Sequence, residues 1–407
     1  MIRKKRIIFI FIIIFAFAIP YYFKYLLIEK KNKFINNIYF KSPLNIVKTK
    51  KCIKYNNLLK KSLDNSFSAS IIDENGFLVG QYNQNKQRSP ASNLKLISTA
   101  FVLDNFKLSE TLNTSLYIDK ESNYYLIGSG DPDLSYSDIQ KLIAKIEHSN
   151  SINLNLLEIN DTFKWPKGWS TNDKFYNYGS PITSLAINSN ENIYKDINFL
   201  KNSIYKYLKN KYPYSEINIY KKEYKPNLIK KLILVSEINS NTLISLITLA
   251  NAESHNFTAE SLFNNASNSW NKNQYYYLKN WLSIKGLPTN NIFIADASGL
   301  SRDNKLTTNL IALFLEKMKY NKNFSIYNSS LSIMGLRGTL SNRLKNSNLS
   351  SKFFGKTGTL SNTFSLSGYL YKKDKPMVIS IIQNSNSLKI KKVFKLLKDI
   401  YNLGDCY

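Results

Sequence analysis

Past residue 65 the apolar positions come in short, evenly spaced bursts. Phe67–Ile72 and Phe77–Tyr82 read as strands around Asp73-Glu-Asn-Gly76, whose Asn75-Gly76 pair predicts a hairpin turn. A helix is predicted from near Ser92, and Leu94, Leu96, Ile97, Ala100, Phe101, Val102 and Leu103 leave it almost no polar face. Such a helix must be buried. From 105 to 239, short apolar runs are broken by Gly, Pro, Asn and Ser, which reads as an inserted mixed region. Helical spacing returns through Leu243, Leu246 and Leu249, and again from Thr308 to Met318. Strands are predicted near Phe354–Leu360, Phe364–Tyr371 and Met377–Ile382, followed by a closing helix from about Leu388 to Tyr401. This order predicts an α+β layer fold: an antiparallel sheet assembled from both chain ends, a helical domain, and an inserted mixed subdomain. The expected division is 1–30 as a targeting segment, 31–104 with 240–407 as the main domain, and 105–239 as the insertion.

The N-terminus changes the picture of where the chain works. Arg3, Lys4, Lys5 and Arg6 precede an apolar run from Ile7 to Phe23, closed by Lys24. That pattern is an export signal, near the lower limit of the roughly 17 to 25 residues a bilayer crossing needs. It is read here as a membrane anchor; Ala16-Phe-Ala18 offers cleavage as the alternative. The bulk of the chain is therefore expected outside the cytoplasm, on its periplasmic or other extracytoplasmic face.

Charge and metal-binding residues mainly exclude. The net charge of +28 comes from lysines scattered among asparagines and isoleucines, without an Arg-rich stripe, so nucleic acid is not an expected partner. Two histidines, His148 and His255, and two cysteines, Cys52 and Cys406, form no metal-site spacing, and no metal or cofactor is expected. The cysteines lie near the two ends of the folded part, where pairing and two separate thiols are both open readings.

Candidate chemistry begins at Ser92-Asn-Leu-Lys95. Three residues apart on a helix, Ser92 and Lys95 share a face. A lysine among leucines and isoleucines favours its neutral form, and a neutral amine beside a hydroxyl can activate it as a nucleophile. Alone, Ser-x-x-Lys recurs by chance. Lys356-Thr357-Gly358-Thr359 opens a late strand, where Gly358 lets a substrate backbone approach and Lys356 with its threonines can hold a carboxylate. Ser254-His-Asn256 lies between two helical patterns and can aim two polar side chains into one cleft. The ordered set of Ser-x-x-Lys, Ser-x-Asn and Lys-Thr-Gly is far harder to obtain by chance.

With these motifs the sequence resembles the D-alanyl-D-alanine carboxypeptidase/endopeptidase group of penicillin-binding proteins, the low-molecular-mass class C type. Further segments are similar to that family: Leu126-Ile-Gly-Ser-Gly-Asp-Pro-Asp-Leu134, Pro166-Lys-Gly-Trp169, Tyr178-Gly-Ser-Pro181, Ser254–Glu260, Asp296-Ala-Ser-Gly-Leu-Ser-Arg302 and Gly338-Thr-Leu-Ser-Asn-Arg343. The resemblance implies the penicillin-binding-protein/β-lactamase-like transpeptidase fold and a serine hydrolase acting on peptidoglycan stem peptides and acylated by β-lactams. It implies Ser92 as nucleophile, Lys95 as base, Ser254 and Asn256 as proton relay and amide contact, and Lys356 as carboxylate anchor. Thr357, Gly358 and Thr359 would line the substrate, with backbone N–H groups of Ser92 and Thr359 as oxyanion hole. His255 departs from an acidic residue common in the second motif and is expected to point away. Residues 191–231 read as a shortened remnant of a nested domain, poor in core residues. In Trp169–Tyr178, Trp169 is expected as an aromatic wall and Asp173 as an acid for the amine of a diaminopimelate-type residue, against the plainer reading that they pack and cap. The competing functions are a β-lactamase or esterase using the same residues, and an inactive wall-binding homologue.

Overall fold

The computed structural model describes residues 48–50, 52–159, 164–191, 197–271, 274–404 and 406. The expected targeting segment 1–30 lies outside them, and among the described residues no helix is long and apolar enough to cross a membrane. Thr49–Tyr407 form one compact unit.

Helix α1 (Ile53–Ser62) leads into strands β1 (Phe67–Ile72) and β2 (Leu78–Tyr82), joined by the predicted turn, and then into helix α2 (Leu94–Asn105). The insertion follows, with β3 (Asn113–Ile118), β4 (Tyr124–Gly128), α3 (Tyr136–Ile143), β5 (Ser151–Glu158), α4 (Ile197–Lys211), β6 (Glu216–Glu223) and β7 (Ile233–Asn239). The return to the main domain brings helices α5 (Leu243–Ala252), α6 (Asn256–Ala266), α7 (Tyr276–Ile284), α8 (Thr308–Met318) and α9 (Phe324–Ser329). Strands β8 (Ser332–Ile333), β9 (Phe353–Leu360), β10 (Thr363–Leu370) and β11 (Met377–Asn384) and helix α10 (Ile390–Asn402) close the chain.

Among the described residues, the main sheet is six-stranded in the order β2-β1-β11-β10-β9-β8. Strand β1 pairs antiparallel with β11 inside the sheet, so the two chain ends meet there. Every residue of β1 and β10 is buried, because helices cover both faces. On one side α10 buries Val393, Phe394, Leu396, Leu397 and Ile400, a helical stripe that packs with Tyr55 and Leu59 of α1 on Phe364, Leu366 and Ile381. Cys52 and Cys406 are joined by a disulfide that ties the start of α1 to the segment beyond α10. On the other side α8 packs on β1, β10 and β11, with Ser70 Oγ donating to Thr308 Oγ1, and α2 is buried from Leu94 through Leu103 as its largely apolar circumference requires.

The insertion holds more structure than its sequence promised. Its five-stranded sheet runs β6-β5-β4-β3-β7, parallel at β4/β5 and β5/β6 and antiparallel at β3/β4 and β3/β7. Parallel neighbours need crossovers, and α3 and α4 supply them. The expectation that 191–231 is poor in core residues is corrected: Leu200, Ile204 and Leu208 recur every fourth residue of α4 and Ile217 and Ile219 alternate on β6, so a few apolar residues at the right period fill the core.

Candidate active site

Ser92 sits in a 3-10 turn, Ala91–Asn93, that runs directly into α2. Its predecessor Ala91 takes a left-handed φ of 46°. Two glycines make room for this turn: a side chain at Gly299, itself at φ 83°, would run into the Ala91 carbonyl, and one at Gly358 would lie 2.7 Å from the Ser92 nitrogen. The Lys-Thr-Gly strand therefore presses against the backbone of the candidate nucleophile.

Lys95, one turn on, is fully buried. Its Nζ lies 3.1 Å from Ser92 Oγ, 2.6 Å from Asn256 Oδ1 and 2.7 Å from the Ser298 carbonyl. Burial lowers its pKa to about 7, against the opposing pull of Asp296 and then Glu260. A neutral amine has two N–H bonds and one lone pair. Asn256 Oδ1 and the Ser298 carbonyl are both acceptors, so they take the two hydrogens, and the lone pair is left facing the Ser92 hydroxyl. That is the geometry of a general base.

Asn256 starts α6, and its Nδ2 donates to the Tyr178 carbonyl at 2.8 Å. Ser254, half-buried at a left-handed φ of 66°, lies in the loop between α5 and α6. His255 turns away from Lys95 as expected: its ring caps α6 through Thr258, 2.7 Å from Nδ1, and faces Glu191 at 3.2 Å. Lys356 on β9 is fully buried, and its Nζ donates to the Thr357 carbonyl at 2.9 Å. Burial first and the nearby Lys95 second hold its pKa well below the usual lysine value, while Glu253 opposes them. A buried amine without a carboxylate among its hydrogen-bond partners is poised to accept an anion. Thr357 donates to Thr339 Oγ1 at 2.8 Å, and Thr359 is exposed at the strand edge.

Two expected residues have different partners from those the sequence suggested. Asp173 is not a free acid: Arg302 grips its carboxylate through both terminal nitrogens, and the Tyr178 hydroxyl donates to it at 3.3 Å. Trp169 is buried with its indole N–H donating to Asp296 Oδ2 at 3.0 Å, so it supports the 296–301 loop. Sequence reasoning gave no role to Asp296, Ser298 or Glu260, although the first two lie in Asp296–Arg302 and the third ends the Ser254–Glu260 segment. Glu260 is fully buried, and burial, then Asp296, pushes its pKa up to about 8.

Residues 56–203 and 228–398 match the D-Ala-D-Ala carboxypeptidase 3 (S13) family. A curated D-alanyl-D-alanine carboxypeptidase of Actinomadura sp. (strain R39) is 31% identical over 111 residues, which are 26% of this chain and 21% of that protein's length. Penicillin-binding protein 4 of Haemophilus influenzae superposes with a TM-score of 0.71 at 18% identity, covering 86% of this chain and 99% of that one. Bd3459, a predatory peptidoglycan endopeptidase from Bdellovibrio bacteriovorus, superposes at 0.55 with 14% identity, over 82% of this chain and 92% of that one. At these identities the likeness is one of fold, and the α+β penicillin-binding-protein architecture read from the sequence is the one observed.

Proposed function

This chain belongs to the D-Ala-D-Ala carboxypeptidase 3 (S13) family, and we propose that it hydrolyses the terminal D-Ala-D-Ala bond of peptidoglycan stem peptides through an acyl-enzyme on Ser92. The observation that carries the proposal is Lys95 Nζ, held by two acceptors with its remaining position on Ser92 Oγ. Lys95 takes the Ser92 proton as Oγ attacks the penultimate D-Ala carbonyl. The tetrahedral intermediate expels the terminal D-Ala, whose amine leaves with a proton relayed through Ser254. Water then cleaves the ester and returns the hydrogen to Ser92. Lys356, Thr357 and Thr359 receive the substrate's terminal carboxylate, and the buried Lys356 gains the counter-ion it lacks. Backbone N–H groups at Ser92 and Thr359 serve the oxyanion, a contact worth roughly 10²- to 10³-fold in rate.

The Asp173–Arg302 pair belongs to the same reading. It lies one residue contact beyond Asn256, through Tyr178, and an acid beside an arginine complements a side chain that bears both an amine and a carboxylate. Covalent binding of β-lactams also follows, since a lactam carbonyl and its carboxylate fit the Ser92 and Lys356 positions. The reading includes export and anchoring through Ile7–Phe23.

Labelled penicillin and peptide mass spectrometry test the centre of the proposal. A covalent adduct on the peptide carrying Ser92 is expected, and an adduct on another serine, or none, overturns it. Parallel incubation with a muropeptide monomer and a cross-linked dimer divides carboxypeptidase from endopeptidase action. Fast release of hydrolysed penicillin, with neither muropeptide cut, would favour a β-lactamase instead.

A further inference from the structure

The base needs both of its acceptors to stay where they are, and one of them is a loop carbonyl. The Ser298 carbonyl belongs to 296–301, a segment without regular secondary structure. Its peptide groups face two ways. Toward α2, the Ala297 carbonyl accepts from Ser98 Oγ at 2.7 Å and the Ser298 carbonyl from Lys95 Nζ at 2.7 Å. Away from α2, the N–H groups of Ala297 and Ser298 both donate to one oxygen of Glu260, at 2.9 and 2.8 Å. The other oxygen of Glu260 accepts from the Tyr275 hydroxyl at 2.9 Å. Tyr275 is itself fixed by stacking on Phe263, 5.5 Å between ring centroids. Asp296 ties the far end of the same loop through the N–H groups of Gly299 and Ser301, at 2.8 and 2.6 Å.

From this arrangement we infer that Glu260 is a positioning residue for the general base: with Tyr275 behind it, it clamps the Ala297-Ser298 peptides so that the Ser298 carbonyl holds Lys95 Nζ with its lone pair on Ser92. The inference rests on the Ser92/Lys95 reading and adds a residue that touches neither the substrate nor Lys95. Buried carboxylates are costly, and a fold does not need one here to fill space. Its two N–H partners lie in the stretch that reaches the base, so the geometric part of its contribution falls on the placement of one nitrogen. A misplacement of about 1 Å at a catalytic group costs on the order of 100-fold in rate.

The test separates non-covalent affinity from the acylation step. With a chromogenic cephalosporin, stopped-flow measurement gives the dissociation constant of the initial complex and the acylation constant independently. Glu260→Met removes the acceptors at similar volume, and acylation should fall by about 100-fold with the dissociation constant unchanged. Glu260→Gln keeps an oxygen for both N–H groups and should recover most of that loss. Tyr275→Phe keeps the stacking ring and should lower acylation roughly 3- to 10-fold, the effect of one hydrogen bond, again at constant affinity. It decides the matter if Glu260→Met does not fold. Unchanged acylation in Tyr275→Phe and in any folded Glu260→Met overturns the inference, as does a fall matched by an equal loss of affinity, which would mark a general disturbance of the cleft. If wild-type protein forms no Ser92 adduct, the parent reading fails; if it does and these variants acylate normally, only the clamp fails.

Discussion

Replacing Lys95 by methionine should change how stability depends on pH. The unfolded lysine keeps its proton up to 10.5, whereas the folded one keeps it only to about 7, because burial removes the ammonium from water. Folding therefore expels a proton at every pH between these values, and stability rises with pH across that window. The penalty is complete below pH 7, where it amounts to about 5 kcal/mol at ~1.4 kcal/mol per pH unit. Because Lys95 is fully buried, solvent screening does not reduce it. By pH 9 about 2 kcal/mol of the penalty is relieved. Methionine fills the same space without a titrating group. It leaves Asn256 Oδ1 and the Ser298 carbonyl short of a donor, a cost of about 1 to 3 kcal/mol each that is the same at both pH values. Urea unfolding of wild type and Lys95→Met at pH 7 and pH 9 isolates the pH dependence that Lys95 supplies, its coupling to Glu260 included. Wild type should gain about 2 kcal/mol relative to the variant between the two conditions. A difference that stays constant would mean that the folded lysine carries its proton through pH 9, and Lys95 could not then be the resting base.

Three further outcomes follow from the same geometry. The acylation rate with penicillin should rise through an apparent pKa of about 7 as Lys95 loses its proton, so a profile flat from pH 5 to pH 8 would contradict the assignment. Asp173→Ala should lower kcat/KM for a diaminopimelate-type peptide several-fold, about the value of a partly desolvated charge pair, with penicillin acylation unaffected; equal losses, or none in either, would reject that subsite. Reducing Cys52–Cys406, which closes a loop across a sequence separation of 354, should lower unfolding stability by about 2 to 5 kcal/mol, and an unchanged melting temperature with reductant would show that the bridge constrains nothing.

The elements legible in the sequence are those in which one force decides the outcome. The hairpin β1/β2 carries its own turn, α2 has nowhere to go but the interior, β10 and β11 are short apolar runs set off by the polar Lys372–Lys375 turn, and α10 shows a clean period of 3.6. The insertion was harder because its core is thin in sequence. On α4 the residues between Leu200, Ile204 and Leu208 are mostly Lys, Asn and Tyr, and Tyr205 stays exposed, so the apolar stripe is diluted by the composition of the whole chain. Parallel pairing of β5 with β4 and β6 is also set by contacts remote in sequence, which no local pattern reports.

The site divides along the same line. Lys95 and Lys356 could be singled out because each departs from its surroundings, a lysine in an apolar helix and a glycine-flanked lysine on a buried strand, whereas Ser92 and Asn256 were readable only through the ordered set of three motifs. Asp173 was noticed as the one acid in the aromatic stretch Trp169–Tyr178, but the Arg302 that occupies it is 129 residues away, and pairing at that range leaves no trace in either local stretch. Glu260 was harder still. In sequence it is one acid in a helix, where the ordinary reading is a solvated surface charge. Only the fold places it behind the Ala297-Ser298 peptides, fully buried with both of its oxygens bonded. A residue that acts on the substrate has to be chemically conspicuous, whereas one that acts by holding backbone can be any acceptor in the right place. That difference explains why the reactive groups were readable from type and spacing, while the group holding them in register required the structure.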